Sequence, residues 1–170
     1  MTGSNENKIF LGVSSQSVYP INDNVFSPSE AYPEYLFNTK SLSVNNHVYS
    51  LIREGFNKLG YDLENYNSKN WNPLKDLVKE GDTVLIKPNW VMHYNKNNKY
   101  KNNLDCLITH PSIVRVLVDY VLIALKGTGR IIIADAPIQS CNLNLLLEKH
   151  GYYELFDFYK NNKKEIEVLD

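Results

Sequence analysis

Three short blocks gather the residue types that do chemistry. Lys87-Pro88-Asn89, Thr109-His110-Pro111-Ser112 and Asp135-Ala136-Pro137 carry an ammonium, an imidazole and a carboxylate. Lys87 can neutralise an anionic group, or act as a base if burial lowers its pKa. His110 titrates near neutral pH and suits proton transfer. Asp135 can hold a metal, orient the lysine or accept a proton. A simple tether between two strand ends accounts equally well for a Lys–Asp pair, although a proline close behind each strand end favours function.

Further polar residues surround these blocks. Asn89, His93, Asn95 and Cys106 lie in the loop after Lys87, and Thr109 and Ser112 flank a helix start whose free N–H groups suit an anion. Capping of that helix by Thr109 or His110 is the competing explanation. Gln139 and Ser140 precede Cys141, which sits near another helix start, where a thiolate is stabilised. A small buried residue is the simpler reading of that cysteine. The expected catalytic set is therefore Lys87, His110, Asp135 and Cys141. The expected substrate-binding set is Asn89, His93, Asn95, Thr109, Ser112, Gln139 and Ser140. His93, Cys106, His110, Asp135 and Cys141 would suffice for a metal, but they form neither a CxxC nor a histidine pair four apart, so no cofactor is assigned. Arg115 and Asp119 have the spacing of an ordinary helix ion pair.

The elements that must position these residues follow from periodicity. Ile9–Val13 reads as a short strand, followed by a long loop in which Tyr19, Phe26, Tyr32, Tyr35 and Phe37 imply packing onto the body. Val48, Leu51, Ile52, Gly55, Phe56 and Leu59 have helical spacing that ends at Gly60. Asn72-Pro73 predicts a brief helix stopping at Gly81. A strand at Thr83–Ile86, a mostly buried helix from Pro111 to Leu125, a strand at Arg130–Ala134, a helix capped by Asn142, a second short helix and a strand at Glu165–Leu169 complete the chain. Strands and helices in alternation predict an α/β fold: a three-layer, mainly parallel sheet with flanking helices, built from right-handed βαβ units. In such sheets ligands bind outside the carboxyl ends of the strands, where Lys87-Pro88-Asn89, Asp135-Ala136-Pro137 and Asp170 fall. Gly127-Thr128-Gly129 follows a helix and precedes a strand, so it is a turn and not a dinucleotide fingerprint, and no GxxxxGK[ST] or GxSxG is present.

Composition sets the outer bounds. The 170 residues are 43% hydrophobic and 22% charged, ordinary for one globular domain, with residues 1–45 forming the strand and aromatic loop and 46–170 the core. The net charge of -1 argues against nucleic acid or an anionic membrane as partner. The 12 Tyr suggest stacking surfaces, but a codon-usage bias towards Tyr, Asn and Lys is simpler. No apolar run could span a bilayer, Met1–Lys8 has no signal-peptide pattern, and two cysteines without pairing motifs fit a cytoplasmic location.

Gly81–Asn89, Thr109–Ser112 and Ile132–Pro137 together resemble the domain-of-unknown-function family numbered 362, over about Asn45 to Asp170. Trp71-Asn72-Pro73-Leu74 and Gln139-Ser140-Cys141 resemble a branch encoded near bacterial surface-polysaccharide genes. The resemblance implies a longer parent protein, matching a sequence that stops after a strand. Some members carry an iron–sulfur domain, for which two cysteines cannot supply four thiolates. The expected function is an enzyme of cell-envelope or polysaccharide metabolism acting on a small anionic or sugar-linked substrate. The alternatives are a non-catalytic module binding a ligand or partner through Tyr32, Tyr35 and Phe37, and a redox or metal protein completed by a further segment.

Overall fold

The computed structural model describes residues 8–21, 23–40, 42–97, 99 and 103–170. The expectation about a leader at Met1–Asn7 lies outside them. Helix α1 (His47–Leu59) starts where the Asn46 side chain accepts from the Tyr49 amide and ends at Gly60, in the left-handed region at φ 93°. Strand β1 (Thr83–Ile86) leads through the loop to α2 (Pro111–Leu125), whose proline takes the first helical position. Strand β2 (Arg130–Ala134), helices α3 (Leu143–Lys149) and α4 (Tyr152–Asn161) and strand β3 (Glu167–Leu169) follow.

The strands form one parallel sheet in the order β1-β2-β3, with Ile86 opposite Ile133 and Ile133 opposite Val168. Strand alternation sends Val84, Ile86, Ile131, Ile133 and Val168 to the same face, into a core shared with Val114, Val118 and Leu122 of α2 and Tyr152, Leu155 and Tyr159 of α4. The opposite face leaves Leu85 62% and Leu169 52% exposed. The described residues therefore supply a sheet and one helical layer, and the expected third layer is not formed by them.

Gly129 joins α2 to β2 at φ 77°, and a β-carbon there would lie 2.3 Å from the Asp82 carbonyl oxygen. Only glycine permits this approach. Beside it, the Arg130 amide donates to Asp82 O at 2.9 Å and the Gly81 amide donates to Thr128 Oγ1 at 2.9 Å. The starts of β1 and β2 are thereby stitched together.

Two sequence expectations fail. Ile9–Val13 is not a strand: it has no neighbouring strand to pair with, Phe10 lies against Gly55 of α1, and Ile9, Leu11 and Val13 face solvent. Asn72-Pro73 opens turns, not a helix: the Asn72 side-chain oxygen caps no amide, and the Asn72 amide donates to Asp62 Oδ2 at 2.8 Å. A smaller difference is that β3 starts at Glu167, two residues later than expected.

The long aromatic segment packs onto the body through buried charge. Arg115 and Asp119 on α2 are both almost fully buried, with Arg115 Nε donating to the carboxylate at 3.0 Å. Asp119 also accepts from Tyr49 of α1 at 3.0 Å and from Tyr159 of α4 at 2.7 Å. Arg115 donates to Val25 O at 2.9 Å and to the Tyr35 hydroxyl at 2.8 Å, and its guanidinium stacks 3.9 Å from the Phe158 ring. A second pair repeats the device: Glu34 accepts from Arg53 at 2.7 and 3.2 Å and from Tyr120 at 3.0 Å, with Tyr32, Tyr66 and Trp71 around the Arg53 guanidinium. Such charges are tolerable in an interior only when fully paired.

Asp119→Ala would strand a buried guanidinium and two phenols, and should cost about 3–5 kcal/mol in urea denaturation. A double variant Arg115→Met/Asp119→Leu should cost clearly less than the sum of its single changes, because it removes both charges together.

Candidate functional site at the carboxyl edge of the sheet

Strands β1 and β2 run parallel and in register, so the residues immediately after them emerge side by side. Lys87 follows β1 and Asp135 follows β2, and Lys87 Nζ stands 2.6 Å from Asp135 Oδ1. The pair is lopsided. The aspartate side chain is 7% exposed, whereas the lysine side chain is 65% exposed. Asp135 Oδ2 accepts the Trp90 amide at 2.6 Å, which folds the chain sharply back after Pro88. Burial pushes the Asp135 carboxyl up, but Lys87 and the amides of Trp90 and Ala136 outweigh it and hold the group below its usual range. The carboxylate is thus a fixed anchor, and the lysine presents its charge to solvent.

The loop after β1 closes on itself and is held to the loop after β2 further out. Asn89 and Thr109 exchange hydrogen bonds, with the Asn89 amide donating to Thr109 Oγ1 at 2.8 Å and the Thr109 amide donating to Asn89 O at 2.8 Å. Tyr152 of α4 donates to the Thr109 carbonyl at 2.5 Å. Further out, the Asn142 amide donates to His93 Nδ1 at 2.9 Å, so this imidazole is locked against the start of α3. Beyond β2 lies an open concavity of about 600 Å³ lined by Ala136, Gln139, Cys141, Asn142, Asn144 and Asp170, among others.

Most of the predicted site residues come together, though in three groups. Lys87 with Asp135, Asn89 with Thr109, and His93 with the Cys141–Asn142 turn are each in contact or adjacent. Gln139 and Ser140 are exposed in the loop that borders the concavity. Asn95 instead serves its own loop, donating to Asn103 O at 3.1 Å and accepting the Asn97 amide. Cys106 is exposed and near Asn95, and both cysteines are free thiols. Cys141 is half-buried; burial raises its thiol above the ordinary value, against the His93 amide that lowers it. That is the opposite of an activated nucleophile.

His110 has a structural task. It caps α2, with Nδ1 accepting the Ser112 amide at 3.2 Å and contacting Ser112 Oγ at 2.8 Å. In the neutral ring this leaves the proton on Nε2. Ser112 itself is fully buried. Tyr19 stacks face to face on the imidazole at 4.3 Å and Phe26 meets it edge-on, so the aromatic segment covers the ring. Burial, with a smaller push from His150, lowers the His110 pKa to about 4. An anion at this helix start would compete with the imidazole for the Ser112 amide. The Trp90 amide on Asp135 and the Tyr19 ring on His110 were not foreseen; a backbone donor and a contact across so many residues leave no mark in local sequence.

Among the described residues, no three His, Cys, Asp or Glu side chains converge as metal ligands. Among the described residues, no helix is long and apolar enough to cross a membrane.

Residues 84–166 match the family model described as Domain of unknown function (DUF362). The match is a little under half of the chain and supports the resemblance drawn from the strand-end blocks. It contains Lys87, His110, Asp135 and Cys141 but not the Trp71–Leu74 block. No curated protein and no solved structure matches the chain.

The covered imidazole has a measurable consequence. The folded chain resists protonating His110 until about pH 4, whereas the unfolded chain takes the proton near 6.5. Its contribution to stability is therefore complete above about pH 6.5 and is lost as the pH falls towards 4. His110→Asn keeps a capping side chain but removes the titration. Urea unfolding at stepped pH should show a shallower acid loss in that variant, by up to about 2–3 kcal/mol.

Proposed function

We propose that the carboxyl edge of the sheet is the substrate site of an enzyme acting on a small anionic or sugar-linked molecule. The observation that carries this reading is the exposed Lys87 ammonium, oriented by a buried Asp135 and set at the ends of parallel strands beside an open polar concavity. Lys87 would neutralise the anionic group. Asp135 would fix the lysine and leave the ligand to the exposed partner. Gln139, Ser140 and Asn142 would hydrogen-bond the hydroxyl groups of a sugar.

The roles first suggested for His110 and Cys141 are narrowed. His110 would take part in proton transfer only through Nε2, since Nδ1 is committed to the Ser112 cap. Cys141 would line the concavity, and burial, by raising its thiol, weighs against a nucleophilic role. Binding through Tyr32, Tyr35 and Phe37 finds no support, since these rings pack against Tyr49, Arg53, Phe158 and Tyr159.

The setting in bacterial cell-envelope or polysaccharide metabolism rests on the resemblance of Trp71–Leu74 and Gln139–Cys141 to a branch encoded near such genes. A cytoplasmic location rests on the two unpaired thiols, and a small-molecule partner in preference to nucleic acid on the net charge of -1. Parallel sheets almost always have both faces covered. The exposed Leu85 and Leu169 favour a third layer supplied from outside the described residues, with this chain as the N-terminal part of a longer protein.

Amide NMR of the chain titrated with glucuronate and glucose 1-phosphate tests the site. Shifts should cluster at residues 136–144 and weaken about tenfold or more in Lys87→Ala, the loss of one charge-assisted contact. Shifts confined elsewhere, or unchanged in Lys87→Ala with the fold intact, would sink this reading.

A further inference from the structure

The opposite end of the sheet holds a second concavity, of about 540 Å³, walled by Lys69, Asn70, Asn72, Lys126 and Lys164 together with the ends of α2 and the loop leading to β3. Gly127 in its wall precedes β2, so this cavity lies where the chain enters the strands, not where it leaves them. Its charge is one-sided. The only acid in the wall among the described residues is Glu34, and Glu34 is buried and spent on Arg53 and Tyr120. Lys126 pairs at 2.7 Å with Glu80, which is 56% exposed and outside the wall, so a ligand can compete for that lysine. Lys69 and Lys164 have no ion pair among the described residues. Three lysines line this one cavity in a chain whose net charge is -1.

The Asn72 carboxamide oxygen adds a second, independent observation. The Asn72 side chain lines the cavity, and this oxygen, which has no hydrogen-bond partner, is turned away from it, so it meets a ligand once the carboxamide rotates about its last torsion. A buried acceptor left in this state costs free energy, which a donor on a ligand would recover. Lysines recognise phosphate as compact point charges, and an unpaired carboxamide oxygen recognises a hydroxyl.

From these features we infer that the amino end of the sheet binds a phosphorylated, hydroxyl-bearing small molecule between Lys69, Lys126 and Lys164, with Asn72 accepting from a ligand hydroxyl. This site is separate from the strand-end site and does not depend on its assignment. Lys126 follows the last turn of α2, where a cation also favours the helix dipole, so stability and binding must be measured apart.

The experiment titrates the full chain with glucose 6-phosphate, inorganic phosphate and glucose, following amide shifts at residues 69–72, 126–129 and 164. Glucose 6-phosphate should shift these amides and bind more tightly than phosphate, and glucose alone should not bind measurably. Lys69→Ala/Lys164→Ala should weaken binding about tenfold or more, and about 0.5 M salt should weaken it as well. Asn72→Ala should reduce the advantage of glucose 6-phosphate over phosphate while leaving phosphate affinity unchanged. The inference is overturned if these amides do not move, or if the double lysine variant changes only the unfolding midpoint. It is also overturned if binding is lost in Lys87→Ala and kept in the double variant, which would place the ligand at the other end.

Discussion

Helices α1 and α4 and the long aromatic loop are drawn together by the burial of Arg115 and Asp119. An ion pair this deep gives little net stability by itself, because both charges give up water. It is tolerated only when each remaining donor and acceptor finds a partner. Here those partners come from α1 through Tyr49, from α4 through Tyr159 and from the long loop through Val25 and Tyr35. The demand for satisfaction therefore recruits three remote segments onto one helix. The Glu34–Arg53 pair does the same for the chain between Tyr61 and Trp71. This explains how a segment with almost no regular secondary structure holds one course across the protein surface.

The contrast between the two kinds of ion pair explains what each can do. Arg115–Asp119 is closed on all sides and can only hold. Lys87–Asp135 is closed on the acid side and open on the basic side, so its carboxylate positions while its ammonium remains free to meet a ligand. His110 falls nearer the first kind: its ring is committed to a cap and covered by Tyr19. Three residues of types common in catalysis thus have unequal access, and access follows from which neighbours already consume their hydrogen-bonding capacity.

Much of this was legible from the sequence, for identifiable reasons. Strands β1 and β2 are apolar runs bounded by glycine and proline, and α2 starts on a proline and is apolar nearly all round; their limits match expectation residue for residue. The Lys87–Asp135 pair followed from parallel strands ending together. Ile9–Val13 misled because alternation indicates a strand only where another strand is present to pair with. Asn72-Pro73 misled because the Asn72 side-chain oxygen, which would have capped a helix, meets no amide, while Asp62, ten residues upstream, holds the Asn72 backbone in place. Arg115 and Asp119 had the spacing of a surface pair; the sequence contained Tyr49, Tyr159 and Tyr35 but no sign that they converge on it. Local pattern recorded the elements, and long-range polar contacts decided which of them cover the candidate site.

The glycine at the entrance to β2 gives the strand pair its zero mark. With Gly129 pressed against the Asp82 carbonyl, β1 and β2 are measured from a common origin, and their lengths determine what surfaces at the far end. A slip of one residue would turn core side chains outward and carry Asp135 away from Lys87. The working edge is thus calibrated from the end remote from it. Lengthening the chain beyond Pro88 or Pro137 changes only what surrounds the charge pair, whereas adding a single residue between Leu125 and Arg130 would reset the pair itself. Variation in this architecture is cheap downstream of the strands and costly upstream of them.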